Sequence, residues 1–274
     1  MTSYSGREFV KMSGSGNDFV MVDARRKAPG ELTDPKVIGR LCARATGIGA
    51  DGIVFLEPSS KADVKLVYLN SDGSLADLCG NATLCTTRLA VKLGAARADA
   101  LTIETGAGII RARILDSGLP EIDLAEVTEV RPEVTAIQLA GVEKRMGFVR
   151  PGIPHLVIEV PDLEAVDVFG RGRPLRFHES LRDGANVNFI AGSGSDWAMR
   201  TYERGVEGET LACGTGAIGS AIMVATWTGT KGPIRLRTRS GRTLQVRLER
   251  TRSGWIPSLS GNAEIVFEGR FAEA

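Results

Sequence analysis

The feature that most constrains this chain is that it repeats itself once. Four short segments recur in the same order. GSGNDFVMVD, containing Asn17, faces PGIPHLVIEVPD, containing His155, 138 positions later. GADGIVF with Asp51 faces GANVNFI with Asn186, 135 positions on. LADLCGNA with Cys79 faces TLACGTGA with Cys213 at a distance of 134, and IETGAGIIRARI with Gly108 faces LRTRSGRTLQVRL with Gly241 at 133. Each match is weak alone. Four in one order, with a spacing that drifts by only a few residues, point to a doubled ancestral unit. The 274 residues then divide into two related domains, 1–126 and 127–274. Each is large enough to bury its own core, and the last few residues are expected to pack back on the first half.

Within each half the pattern is rich in strands, with one strong helix. Alternation in VKLVYL, IRLRT and TLQVRLE predicts half-buried antiparallel strands, joined through Gly-containing turns at SDG, GAG and SG. After each matched cysteine the period changes. Ala82 to Leu93 and Ala217 to Trp227 read as helices ended by Gly94 and Gly229. The second is apolar nearly all round, which predicts a buried helix. The fold class expected is α+β: two pseudo-symmetric domains, each a curved, mostly antiparallel sheet wrapped round a central helix.

Bulk properties exclude several functions. Lys and Arg number 34 against 33 Asp and Glu, so nucleic acid and anionic membranes are not expected partners. No apolar run approaches the roughly 18 residues that span a bilayer, and Met1 to Met12 lacks a secretory apolar core, so the default location is cytoplasmic. There are four cysteines, Cys42, Cys79, Cys85 and Cys213. That is too few for a disulfide scaffold, and without a CxxC pair and with only His155 and His178 no structural zinc site is expected. Gly14 and Gly16 hint at a dinucleotide fingerprint, but Phe19 stands where its third glycine belongs.

The repeat sets a cysteine at the entrance of the central helix in both halves. Gly80 and Gly214 allow close backbone approach, while Asn81 and Thr215 are residue types suited to an N-cap. A helix start presents unpaired N–H groups and a partial positive charge. It attracts a carboxylate and favours thiolate over a thiol whose ordinary pKa is about 8.5. If the domains face each other, two helix starts converge on one carboxylate and two sulfurs flank the adjacent carbon. One thiolate removes the α-proton and one thiol returns a proton on the other face, so the centre inverts without a cofactor or a metal. The plainer reading makes both cysteines inherited core residues, and another makes them a redox pair. Cys42 and Cys85, which have no counterparts, read as core.

The strings KMSGSGNDFVMVD, NSDGSLADLCGNATLC and YERGVEGETLACGTG, with PGIPH and GANVNF in order between them, resemble the diaminopimelate epimerase family over nearly the whole chain. The resemblance implies interconversion of LL- and meso-diaminopimelate for lysine and cell-wall precursors, a homodimer, and no cofactor. It implies that Cys79 and Cys213 are the acid–base pair, with His155 and Glu203 tuning their pKa values. Gly80, Asn81, Gly214 and Thr215 would bind the reacting α-carboxylate. Asn17, Asn70, Asn186, Glu203 and Arg204 would hold the rest of the substrate, with Arg204 suited to a distal carboxylate. On spacing alone, Asn70 could be a turn former, Glu203 and Arg204 a solvated pair, and His155 an interior histidine. Ile153 stands where some members carry a substrate-contacting Asn. CGNATLC lacks a Gly and an Arg common in relatives. A racemase or epimerase of the same scaffold acting on proline, hydroxyproline or histidine is the alternative reading.

Overall fold

A computed structural model describes residues 4–272. The chain divides into two compact units, one ending at Ile122 and resuming at Ser260, the other running Asp123–Leu259.

The first unit opens with β1 (Glu8–Gly14) and β2 (Asn17–Asp23), crosses through α1 (Pro35–Cys42) to β3 (Gly52–Glu57), and continues into β4 (Val64–Asn70) and the short β5 (Leu75–Ala76). Then come α2 (Gly80–Lys92), β6 (Leu101–Thr105), β7 (Gly108–Ile114) and β8 (Pro120–Asp123). Antiparallel pairings join β1 to β2, β3 to β4, β4 to β5, and β6 to β7. Parallel pairings join β2 to β3 and β4 to β6. A parallel pair needs a long crossover, and α1 and α2 are those crossovers. Pro35 in its first turn and the Asp34 carboxylate, which accepts the Lys36 N–H, start α1. One sheet face, with Val20, Val22, Ile53 and Phe55, forms a core with Ile38 and Cys42 of α1. The intervening residues Phe19, Met21 and Val54 are equally buried and belong to the face against which α2 packs.

The second unit repeats this order. It contains β9 (Val130–Arg131), β10 (Arg145–Val149), β11 (His155–Glu159), α3 (Val168–Arg176), β12 (Asn186–Ser193), β13 (Asp196–Glu203), β14 (Gly208–Thr210), α4 (Gly214–Thr228), β15 (Ile234–Arg237), β16 (Thr243–Arg250) and β17 (Trp255–Ser260). The parallel pairs are β11 with β12 and β13 with β15, crossed by α3 and α4. The returning strand β18 (Ala263–Arg270) pairs antiparallel with β1 in the first unit, while β9 takes the same place beside β10. Antiparallel pairings predominate, as the alternation predicts. The two parallel joints in each unit leave no local signal, because they are made by crossovers rather than turns.

Both central helices begin two to three residues earlier than the apolar period indicates, because the cysteine itself is the N-cap in each. Asn81 and Thr215 therefore sit at the second helical position rather than at the cap. Buried side chains such as Ile218, Ile222 and Val224 line α4. Each contributes on the order of 1.5–3 kcal/mol. Gly229, at φ 68°, ends the helix in the left-handed region that a side chain disfavours.

The ladders also correct the alignment of the two halves. Phe19 pairs with Gly52 as His155 pairs with Asn186. Ile53 and Phe55 face the α1 core as Val187 and Phe189 face the α3 core. His155 thus occupies the position of Phe19 rather than Asn17, and Asn186 that of Gly52 rather than Asp51. Among the described residues, no helix is long and apolar enough to cross a membrane.

Candidate active site

In the second unit, Cys213 is buried, 6% exposed. Its backbone is extended (φ −136°, ψ 111°), as an N-cap requires. Its sulfur accepts the Gly216 N–H at 3.3 Å and lies 3.5 Å from the Thr215 hydroxyl. A Cβ on Gly216 would come within 2.4 Å of Asn188 Oδ1 and 3.2 Å of the sulfur. Only glycine lets this turn close on the thiol. The first intrahelical bond runs from the Ala217 N–H to the Cys213 carbonyl at 2.9 Å. The amides of Gly214 and Thr215 precede it, so the helix does not consume them.

Behind Thr215 stands His155, fully buried, with Nε2 3.0 Å from the Thr215 hydroxyl. Asn188 Nδ2 donates to the Leu156 carbonyl (3.0 Å) and to His155 Nδ1 (3.0 Å), while Asn188 Oδ1 accepts from the Thr201 hydroxyl (2.9 Å). These partners fix the Asn188 amide, which makes Nδ1 an acceptor and assigns the ring hydrogen to Nε2. His155 then donates to Thr215, whose own hydrogen is free to point at the Cys213 sulfur. Burial first, and the Arg204 charge second, pull the imidazole down to about 3, against an opposing bond from Asn188. The ring is therefore a neutral donor, not a proton store. Asn186 Nδ2 stands 3.3 Å from Nε2, a contact rather than a bond once that nitrogen carries hydrogen. Asn186 Oδ1 accepts the Arg204 N–H at 2.6 Å.

Glu203 ends β13, and burial raises its carboxyl above the ordinary value. The Arg204 guanidinium donates to the Asp183 carbonyl at 3.0 Å. The pair is thus not the solvated couple that adjacent charges usually form.

The first unit builds its helix start differently. Cys79 caps α2 with a similar extended backbone (φ −132°, ψ 115°). The Thr83 N–H makes the first intrahelical bond, to its carbonyl, at 2.9 Å, leaving the Gly80 and Asn81 amides ahead of it. Asn81 is 3% exposed and donates through Nδ2 to Asn17 Oδ1 at 2.6 Å, while Asn17 donates to Asp51 Oδ2 at 2.9 Å. Asn70 bonds within its own hairpin, to the Ser74 carbonyl (3.3 Å) and hydroxyl (3.0 Å). That is the turn-forming role spacing alone would give it.

Cys42 and Cys85 are buried and free. Burial pushes the Cys42 thiol up to about 11 and raises Cys85 further, as expected of core residues. The glycines of GSGND form the turn of the β1–β2 hairpin. A dinucleotide fingerprint needs a strand-to-helix turn, so that reading falls. Sequence reasoning missed Asn188 and Thr201. The signal was there in NVN, whose two asparagines fall on one face of a strand.

This doubled α+β architecture places the chain in a known class of two-unit proteins. It superposes on a phenazine biosynthesis protein of the PhzF family from Bacillus anthracis with a TM-score of 0.75 at 16% identity, covering 97% of this chain and 99% of that one, a likeness of fold alone. The chain belongs to the diaminopimelate epimerase family. The family model of that description matches residues 9–130 and 147–266. A diaminopimelate epimerase of Gemmatimonas aurantiaca is 46% identical over 96% of this chain and 99% of its own length. One from Aquifex aeolicus is 38% identical over 97% and 98%.

Proposed function

We propose that this chain is a cofactor-independent diaminopimelate epimerase that interconverts LL- and meso-diaminopimelate, with Cys79 and Cys213 as its acid–base pair. The observation that carries this reading is the matched pair of helix-capping cysteines on a doubled scaffold, in a chain 46% identical to a curated diaminopimelate epimerase.

The chemistry follows from the residues. The α-carboxylate of the reacting centre is held by the amides that open the two helices, at Gly80 and Asn81 and at Gly214 and Thr215. One cysteine, as thiolate, removes the α-hydrogen as a proton. The electron pair left on carbon delocalises into that carboxylate, where the helix amides stabilise it. The other cysteine, as thiol, delivers its proton to the opposite face, and the centre inverts. The enzyme is left with the protonation states of the two sulfurs exchanged, so the reverse reaction uses the same groups in exchanged roles.

His155 acts through the Thr215 hydroxyl, which donates to the Cys213 sulfur and favours its thiolate. Glu203 supplies a buried carboxyl for the same tuning. Asn17, Asn70, Asn186, Glu203 and Arg204 hold the remainder of the substrate, with Arg204 for the distal carboxylate. The working form is a cytoplasmic homodimer, serving lysine and peptidoglycan precursor synthesis. A coupled assay over a panel of amino acids tests substrate choice. Turnover of diaminopimelate isomers is expected, with proline, hydroxyproline and histidine left untouched. Turnover of any of those three in preference would replace this reading with the racemase alternative.

A further inference from the structure

Asp51 carries no role in the reaction described so far, yet it anchors the two asparagines, Asn17 and Asn81, at the Cys79 helix start. Its Oδ2 accepts from Asn17 Nδ2 (2.9 Å) and from the Asp18 N–H (3.1 Å), and its Oδ1 accepts from Arg44 (2.6 Å). Arg44 also forks onto both oxygens of Asp18 (2.9 and 2.8 Å), which Lys11 meets at 2.7 Å. Burial works to raise Asp18, but the bonds from Arg44 and Lys11 outweigh it and hold the carboxyl below its ordinary range. Two carboxylates and two cations thus lock together at the start of β2.

A carboxylate can only accept. Asp51 therefore forces Asn17 to present Nδ2 downward and Oδ1 upward. That oxygen takes Nδ2 of Asn81 at 2.6 Å, which fixes the second amide as well. Asn81 Oδ1 is left buried without a hydrogen-bond partner, aimed in a direction set two residues back along the chain of bonds, at Asp51. An unpartnered buried acceptor is unfavourable, and its orientation is maintained against that cost. An Asn17 amide released from Asp51 could turn over and set donor against donor at Asn81.

We propose that Asp51, braced by Arg44, is a positioning residue for the reaction. It sets the amide orientation of Asn17 and, through it, that of Asn81 in the first turn of the helix capped by Cys79. This rests on the reading that Cys79 and its helix start take part in epimerisation. The pair Asp51 and Arg44 acts through Asn17, not on the substrate.

The test is a double-mutant cycle on kcat/KM with LL-diaminopimelate. Asp51→Leu and Asn17→Ala are each expected to lower kcat/KM by about ten- to a hundred-fold. The double variant should be no worse than Asn17→Ala, because Asp51 has nothing left to orient. Asp51→Asn, whose oxygen can still accept from Asn17, should recover part of the loss. Arg44→Gln alters an exposed residue and keeps the fold should Asp51→Leu not. It should show a smaller loss that vanishes in the Asn17→Ala background. Multiplying losses in either double variant, or wild-type rates in Asp51→Leu, would overturn the proposal. Cys79→Ala run alongside separates the two levels. If that variant stays active the epimerase reading itself fails; if it is dead while the cycle is additive, only the role of Asp51 does.

Discussion

Beneath Cys213 lie His155, Asn188 and Thr201, and at the same three positions of the first unit lie Phe19, Val54 and Tyr68. The equivalence is in the ladders: Phe19 faces Gly52 as His155 faces Asn186, and Val54 faces Tyr68 as Asn188 faces Thr201. All six are buried, and Tyr68 at 6% is the most exposed of them. One floor is a completed hydrogen-bond network ending at a thiol. The other holds no such network: the Phe19 and Tyr68 rings meet edge to face at 5.5 Å, and the Tyr68 hydroxyl donates away to the Asp51 carbonyl at 3.4 Å. Duplication preserved the backbone that presents each sulfur at a helix start, while the side chains beneath diverged. A half-built network would leave buried groups unsatisfied at about 1–3 kcal/mol each. Only the second unit's floor therefore carries a network through to its thiol, and the polar support of the first unit lies at the rim, at Asn17 and Asp51.

The comparison predicts, first, that the divergence does not extend to the sulfurs. Cys79→Ala and Cys213→Ala should each cut kcat by about a thousand- to ten-thousand-fold with folding intact, judged by steady-state rates and circular dichroism. A large residual rate in either one would break the symmetry of roles.

The second prediction concerns the floors. His155→Phe gives the second unit the first unit's residue and strands Asn188 and Thr215. The kcat/KM should fall by about ten- to a hundred-fold, since leaving a buried hydrogen-bonding group unsatisfied costs about 1–3 kcal/mol. Without His155 to polarise and orient it, the Thr215 hydroxyl stabilises the thiolate less and the Cys213 pKa rises, so the acidic limb of the kcat/KM profile should move to higher pH. An unmoved limb would detach His155 from the thiol.

A milder effect is expected at the third helical residue, glycine in α4 and alanine in α2. Gly216→Ala should cost about 1–3 kcal/mol of stability and slow the reaction, because the new methyl meets Asn188. Ala82→Gly should cost only the helix propensity difference, about 1 kcal/mol. Equal effects in the two halves would contradict the closer packing around Cys213.

A last effect is in stability against pH rather than in rate. His155 binds its proton near pH 3 when folded and near 6.5 when unfolded. The unfolded chain therefore binds more protons across that window. Stability should fall as pH drops from about 6.5 towards 3, by up to about 1.4 kcal/mol per unit. Denaturant melts should lose this slope in His155→Phe.

Much of this was legible in the sequence. The repeat, both cysteines, both central helices and their glycine ends could be read from period and composition. The registers could not. A shift of two residues keeps every side chain of a strand on its face, so Asn17 aligned with His155 as plausibly as Phe19 does. The one-residue error at Asp51 arose because a buried strand of continuous apolar residues gives no alternation to contradict it. Asn188 and Thr201 escaped notice because a buried polar network is defined by partners distant in sequence. Asp51 was seen but given no task, since its work is done through Asn17.

The central claim is that two thiols, one on each face, invert a single α-carbon. Early turnover of LL-diaminopimelate in deuterated water tests it most directly. The account predicts meso product carrying one deuterium at the inverted carbon, because the donor thiol exchanges with solvent, while the recovered LL substrate stays unlabelled. Equal early labelling of substrate and product, or product without deuterium, would contradict it.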